Sequence, residues 1–166
     1  MVMPAEKKHI TLSYSVFESV EALMENDKAL LLEARNATGD AYAPYSMFTV
    51  GAAALLYNGE IVKGSNQENA SSPAGLCAER VLLSAISSFY PKIGIDTIAI
   101  SYFNKKNNKS GKPVAPCGIC RQSILEYQLQ QQKPIRLILA GMEGAIYIIE
   151  NIADLLPFSF SGSDML

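Results

Sequence analysis

Charge is scarce in this sequence, and neither sign has a large excess. Only 18% of the 166 residues are charged, and 14 basic against 16 acidic residues leave a formal net charge of −2. Affinity for a nucleic-acid backbone comes from clustered excess lysine and arginine. This balance therefore argues against a polynucleotide partner and favours a small uncharged ligand.

Long apolar runs are also missing. The longest, residues 48–57, is interrupted by Thr49 and Gly51 and is far shorter than the ~20 residues that cross a bilayer. The N-terminus lacks the continuous apolar stretch of a signal peptide, so we expect a soluble, cytoplasmic protein without a membrane partner. With 49% hydrophobic residues, the length predicts one domain over residues 1–166, in which residues 1–20 form an N-terminal extension.

Cysteine and histidine are also scarce. The chain has three cysteines and one histidine. Because an odd number of cysteines cannot all pair within one chain, reduced thiols or metal ligands are favoured over a disulfide framework.

Hydrophobic periodicity predicts an α/β protein with three layers, α/β/α, built on a mixed sheet of about five strands with helices on both faces. Residues 10–16 of the extension alternate like a half-buried strand, and the further strands are expected at 48–57, 60–65, 95–102, 135–140 and 145–149. Helices are expected at 19–37, 77–88 and 118–129, with a short terminal helix at 151–156.

Three connections carry additional signals. Asn58-Gly59 predicts a hairpin closed by a type I′ turn, in which both residues have positive φ. The short link at 141–144 predicts an antiparallel pair, because a parallel crossover needs a dozen or more residues. Residues 104–112 contain no apolar side chain to bury, which indicates a solvated loop.

All three cysteines lie in two short segments, at 77–80 and 116–122. Each segment is predicted to begin a helix, where backbone N–H groups and the helix dipole lower the pKa of a thiol. Cys117 and Cys120 form a C-x-x-C motif that directs two sulfurs at one ion, and Cys77 can join them from a neighbouring helix. Three soft thiolates suit Zn²⁺ and leave one tetrahedral corner open, where a water would have its pKa lowered towards ~7.

Charged residues follow these cysteines. Glu79, two residues after Cys77, can face the ion without binding it and act as a general acid and base, although a first-turn acid can also merely complement the helix dipole. Arg80 and Arg121 either donate to the thiolates and offset their charge or form surface salt bridges.

Other readings of the cysteines remain open. A C-x-x-C pair can be redox-active, and a buried cysteine can behave as a small hydrophobe. A closed structural zinc site would need a fourth protein ligand, and the only histidine, His9, lies far from the cysteines in sequence.

The motifs resemble those of the zinc-dependent cytidine deaminases, in the small form with three cysteine ligands. The similar segments are residues 41–53, 64–80 and 116–122, followed by Leu155, Leu156, Pro157 and Phe160. The resemblance implies one zinc per chain, bound by Cys77, Cys117 and Cys120, with Glu79 as the proton shuttle.

The substrate contacts implied by this resemblance involve five residues. Asn66 and Glu68 hydrogen-bond the sugar hydroxyls, and the backbone N–H of Ala78 contacts the pyrimidine carbonyl. Phe48 forms a wall beside the base, and Phe160 reaches the site of a neighbouring subunit in a homotetramer. Without the resemblance, Phe48 and Phe160 would be interpreted as core residues.

The implied activity is hydrolytic deamination of cytidine and deoxycytidine to uridine and deoxyuridine, with release of ammonia, in pyrimidine salvage. Glu79 takes a proton from the attacking water, protonates N3 of cytosine and then protonates the leaving amine, for which we expect burial to raise its pKa. The alternatives are deamination of another aminopyrimidine nucleoside, of the blasticidin type, and a non-catalytic zinc-stabilised module.

Overall fold

The computed structural model describes residues 5–165, which form a mixed β-sheet with helices on both faces. The strands are β1 (Ser15–Phe17), β2 (Phe48–Leu56), β3 (Ile61–Ser65), β4 (Ile95–Asn104), β5 (Arg136–Leu139) and β6 (Ile146–Ile149). The main helices are α1 (Glu25–Ala37), α2 (Ala78–Phe89) and α3 (Gly118–Gln131). The strand order is β1-β6-β5-β4-β2-β3, and β4 pairs with β5 in parallel while the other neighbours are antiparallel.

The core lies in two layers, one on each side of the sheet. On one face, Leu30, Leu31 and Ala34 of α1 pack with alternate residues of the central strands, including Ala53 and Ala99. The other face is covered by α2 and α3, whose contributions include Leu82, Leu83, Ile86, Ile124 and Leu125. Because β2 is covered on both faces, it is almost continuously apolar, and the centre of β4, residues 97–101, is buried throughout.

The sheet has six strands, against an expected number of about five, and β1 comes from the N-terminal extension. This strand pairs antiparallel with β6, Ser15 opposite Ile148 and Phe17 opposite Ile146, while the ring of Tyr14 lies 5.0 Å from that of Tyr147. The predicted strand at 10–16 is wrong in its bounds, since β6 has only four residues and offers a short edge for pairing. Residues 1–4 of the extension lie outside the described residues.

The first helix is shorter than predicted. Residues 19–24 contain a 3₁₀ turn, Val20–Ala22, and α1 begins only after Met24, whose extended backbone (φ −65°, ψ 150°) interrupts helical geometry. Glu25 and Asp27 occupy the first turn of α1, where their negative charge complements the helix dipole.

The hairpin between β2 and β3 is confirmed, but its predicted turn type is wrong. Of the two central residues only Gly59 has positive φ (87°). The link is a four-residue loop, in which the N–H of Gly59 donates to the carbonyl of Leu56 at 2.9 Å. The side chain of Asn58 accepts from the N–H of Glu60 at 3.2 Å, a local bond that favours negative φ at Asn58.

The remaining predictions along the chain are largely confirmed. Helices α2 and α3 and the antiparallel β5–β6 pair lie where expected, and the segment at 151–156 forms a 3₁₀ helix, Ile152–Leu155. The 104–112 loop is mostly exposed, although Ser110 is buried. Within residues 5–165, no helix is both long and apolar enough to span a membrane.

Candidate active site

The N-termini of α2 and α3 bring the three cysteines together. Cys77 and Cys117 are the N-cap residues of these helices, and Cys120 lies in the first turn of α3. Their sulfurs lie within 4.8 Å of one another, with Cys117 3.9 Å from Cys77 and 3.4 Å from Cys120. Tetrahedral zinc with Zn–S bonds of about 2.3 Å needs sulfurs about 3.8 Å apart. The three cysteines therefore fit one zinc ion.

The pKa values of the three thiols shift in different directions in the chain without metal. Burial raises the pKa of Cys77 and of Cys120, so the expected lowering at these two positions is wrong. At Cys117 burial acts in the same direction, but hydrogen bonds from Cys120 and Cys77 outweigh it and lower the pKa. Three adjacent thiolates repel one another, and a divalent cation supplies the compensating charge that makes all three stable.

Arg80 and Arg121 differ in what they contact. Nη2 of Arg80 donates to the carbonyl of Gly75 at 2.7 Å, whereas its buried Nε has no hydrogen-bond partner in the described part of the chain. A buried N–H without an acceptor is costly, and a neighbouring thiolate would satisfy it. Arg121 instead donates to the carbonyls of Pro116 and Leu155, so it ties the start of α3 to the C-terminal segment.

Glu79 is buried in the first turn of α2, with 4% of its surface exposed. Burial raises the pKa of its carboxyl group, and a backbone hydrogen bond and Cys120 offset this only in part. The expected rise in pKa is confirmed for the chain without metal. A carboxyl group with a raised pKa takes up and releases protons closer to neutral pH than an exposed one.

A cavity of about 740 Å³ opens over the cysteines. Its lining includes most of the predicted site residues: Phe48, Asn66, Glu68, Cys77, Ala78, Glu79 and Cys117. Phe48 is half-buried, and its ring stacks on Tyr102 with centroids 4.9 Å apart and an interplanar angle of 18°. The cavity is thus large enough for a small ligand, and it has an aromatic wall.

Of the five predicted substrate contacts, Phe160 is the one that does not line this cavity in the described part of the chain. Its side chain is 59% exposed, and it is absent from the lining described for residues 5–165. Its carbonyl accepts a hydrogen bond from Nε2 of Gln122 at 2.9 Å. Such exposure contradicts the interpretation of Phe160 as a core residue.

The side chains of Asn66 and Glu68 both bind backbone groups of the cavity wall. The Asn66 amide accepts from the N–H of Val50 at 2.7 Å and donates to the carbonyl of Phe48 at 3.0 Å. Oε2 of Glu68 accepts from the N–H groups of Tyr45 and Ser46, at 2.9 and 3.2 Å. Reasoning from the sequence did not find these bonds, since they join segments about 20 residues apart.

Two further lining or supporting residues were missed as well. Ser46 lies in the cavity wall, and Tyr102 supports Phe48 from β4. A serine two residues before a strand-initiating aromatic is a local signal for a side-chain-to-backbone turn, whereas nothing local identifies Tyr102.

Comparisons with known proteins agree with this geometry. Residues 24–133 match the family model for the cytidine and deoxycytidylate deaminase zinc-binding region. The chain is 38% identical to a cytidine deaminase of Halalkalibacterium halodurans over 82% of this chain and 95% of that protein. It is 35% identical to a cytidine deaminase of Mycobacterium tuberculosis over 80% and 87% of the two chains.

A solved structure extends the similarity to the fold. The crystal structure of cytidine deaminase from Burkholderia pseudomallei superposes with a TM-score of 0.68 at 35% identity, covering 83% of this chain and all of that one. The family model, the relatives and the three-cysteine cluster all lead to one assignment. The chain belongs to the zinc-dependent cytidine deaminase family.

Proposed function

We propose that the protein hydrolyses the 4-amino group of cytidine and deoxycytidine, producing uridine or deoxyuridine and ammonia. The observation that carries this proposal is the placement of Glu79, buried beside a three-sulfur cluster and lining the same cavity as Cys77 and Cys117. A non-ligating acid next to an open metal site provides proton transfer in hydrolysis.

Cys77, Cys117 and Cys120 would hold the zinc. When bound, zinc supplies a Lewis acid that lowers the pKa of a water molecule towards ~7. The carboxylate of Glu79 takes one proton from the attacking water and delivers it to N3 of cytosine, which makes C4 electrophilic. After water oxygen adds at C4, Glu79 carries the second proton to the amine. The C4–N bond then breaks and ammonia leaves.

The cavity wall orients the substrate in this proposal. Phe48, supported by Tyr102, packs against the base. Ala78 is the first residue of α2, where backbone N–H groups have no partner within the helix, and its N–H donates to the pyrimidine carbonyl. Asn66 and Glu68 line the same cavity and use their remaining amide hydrogen and carboxylate oxygen for the sugar hydroxyls.

Arg80 supports the metal in this proposal. It follows Glu79 on α2, and its buried Nε donates to a ligand thiolate and offsets part of the negative charge of three sulfurs on a divalent ion.

We further propose that the chain acts as a single domain within a cytoplasmic homotetramer, in pyrimidine salvage. The exposure of Phe160 outside its own cavity supports a contact with the site of a neighbouring subunit. Light scattering at micromolar concentration tests the assembly. A Phe160→Ala variant that remains tetrameric and binds cytidine as tightly as the unmodified protein would contradict the proposed contact.

Zinc-loaded protein incubated separately with cytidine, deoxycytidine, CMP, cytosine and blasticidin S tests the activity through ammonia release. We expect turnover of the two nucleosides. Turnover of CMP alone would overturn the proposed sugar contacts, and turnover of blasticidin S alone would indicate the other substrate class. Tightly bound zinc without turnover of any compound would indicate a non-catalytic zinc-stabilised module.

A further inference from the structure

Ser46 lies where the two halves of the cavity wall meet. Its Oγ accepts a hydrogen bond from the N–H of Phe48 at 3.0 Å, and its own N–H donates to Oε2 of Glu68 at 3.2 Å. Hydrogen bonding by Ser46 is also the main cause that lowers the pKa of the Glu68 carboxyl group. Ser46 thus joins the two parts of the wall: its side chain holds the backbone of Phe48, and its backbone N–H holds the carboxylate of Glu68.

The backbone next to Ser46 needs such support. Met47 adopts a left-handed conformation with φ 58°, which is uncommon for a residue with a long side chain. Hydrogen bonds hold the chain around it: the Met47 N–H donates to Ala43, and its carbonyl accepts from Lys105 at 2.9 Å. The bond from Phe48 to Ser46 spans this same residue, so the serine stabilises the turn that aims Phe48 at the cavity.

Phe48 is therefore fixed on three sides. Ser46 holds its N–H, Asn66 holds its carbonyl, and Tyr102 stacks on its ring. Of these contacts, only the one through Ser46 also reaches Glu68.

We propose that Ser46 is a positioning residue, which sets the ring of Phe48 and the carboxylate of Glu68 at a fixed separation matched to a nucleoside. This inference rests on the proposed function, in which Phe48 contacts the base and Glu68 the sugar. Because both contacts form when the substrate binds, the loss of this alignment raises KM more than it lowers kcat.

The first test measures the hydrogen bond between Ser46 and Phe48 and needs no enzymatic turnover. Amide hydrogen exchange of zinc-loaded protein is compared between the unmodified chain, Ser46→Ala and Ser46→Thr, which keeps an Oγ. We expect exchange at Phe48 to accelerate about tenfold in Ser46→Ala, to recover in Ser46→Thr, and to stay unchanged at Ala53 in the middle of β2. Unchanged exchange at Phe48, or equal acceleration at Phe48 and Ala53, would overturn the proposal.

The second test measures the alignment through kinetics with cytidine and 3′-deoxycytidine. Ser46→Ala should raise KM for cytidine about tenfold with kcat within twofold. It should also reduce the penalty for removing the 3′-hydroxyl, because loss of the Oγ bond to Phe48 loosens the turn that places the Ser46 N–H against Glu68. Ser88→Ala is the control, since its Oγ contacts only the carbonyl of Ser84 at the exposed end of α2. An unmodified protein that releases no ammonia from cytidine refutes the proposed function. Active protein in which Ser46→Ala lowers kcat equally for both substrates at constant KM refutes the role of Ser46.

Discussion

Helix α2 lies close against the sheet at Gly64. A Cβ atom added there would lie 2.5 Å from the backbone N of Leu82, 2.6 Å from the carbonyl oxygen of Ala78 and 2.8 Å from the Cα of Leu82. All three neighbours are backbone atoms, so no side-chain rotation relieves the overlap. Gly64→Ala therefore forces α2 away from β3 by about 1 Å, until these contacts reach ordinary van der Waals distance.

This displacement should reduce both stability and activity. Overpacking of a core costs about 1–3 kcal/mol, and we expect the upper end here because the clash involves backbone. Helix α2 carries Glu79 and follows directly on Cys77, and a displacement of about 1 Å at a reacting centre can cost ~100-fold in rate. We expect a loss of about 3 kcal/mol in the free energy of unfolding and about 100-fold in kcat/KM for cytidine.

Urea unfolding of zinc-loaded protein and steady-state deamination measure these two quantities. Gly39→Ala is the matched control, because a Cβ at Gly39 meets no atom within 4 Å, and it should change stability by less than about 0.5 kcal/mol. If Gly64→Ala is as stable and active as Gly39→Ala, the close approach of α2 does not position the site.

Four further outcomes are expected. Glu79→Gln should abolish turnover while retaining one zinc per chain by metal analysis, and loss of the metal would show that Glu79 acts as a ligand. Chelation should stop turnover and Zn²⁺, but not Mg²⁺, should restore it, because thiolates favour the softer ion; recovery with Mg²⁺ would contradict the three-sulfur site. In metal-free protein, prepared with a chelator, burial holds the pKa of Glu79 in the folded state above its ordinary value of 4.5. The folded protein then binds more protons than the unfolded chain, so its free energy of unfolding falls as pH rises from about 4.5. Glu79→Gln removes this pH-dependent contribution. If the difference in free energy of unfolding between the unmodified protein and Glu79→Gln stays constant from pH 4 to 7.5, the raised pKa of Glu79 is refuted. Asp27→Asn should cost about 1–2 kcal/mol in urea unfolding, since Asp27 pairs with both terminal nitrogens of half-buried Arg136 at 2.6 and 2.7 Å; a change below about 0.3 kcal/mol would show that the pair contributes little.

Local sequence patterns were sufficient to predict many of the helices and strand pairs of this protein. Apolar residues at helical spacing predicted α2 and α3. Asn58-Gly59 predicted the β2–β3 hairpin, and the short link at 141–144 predicted the antiparallel β5–β6 pair. The metal-binding segments were also readable, because Cys117 and Cys120 lie within one helical turn and Glu79 is two residues from Cys77. These features depend on neighbours in the chain, so their spacing is sufficient to indicate them.

Tertiary structure alone decided the rest. The addition of β1 to the sheet depends on the short free edge of β6, and the thiol pKa values depend on burial that spacing does not show. Asn66, Glu68 and Ser46 form their bonds across segments that meet only when β2 and β3 pair. The sequence by itself thus indicated which residues can carry the proposed chemistry. The fold decided how they are held, because hydrogen bonds and burial between distant segments have no periodic signature along the chain.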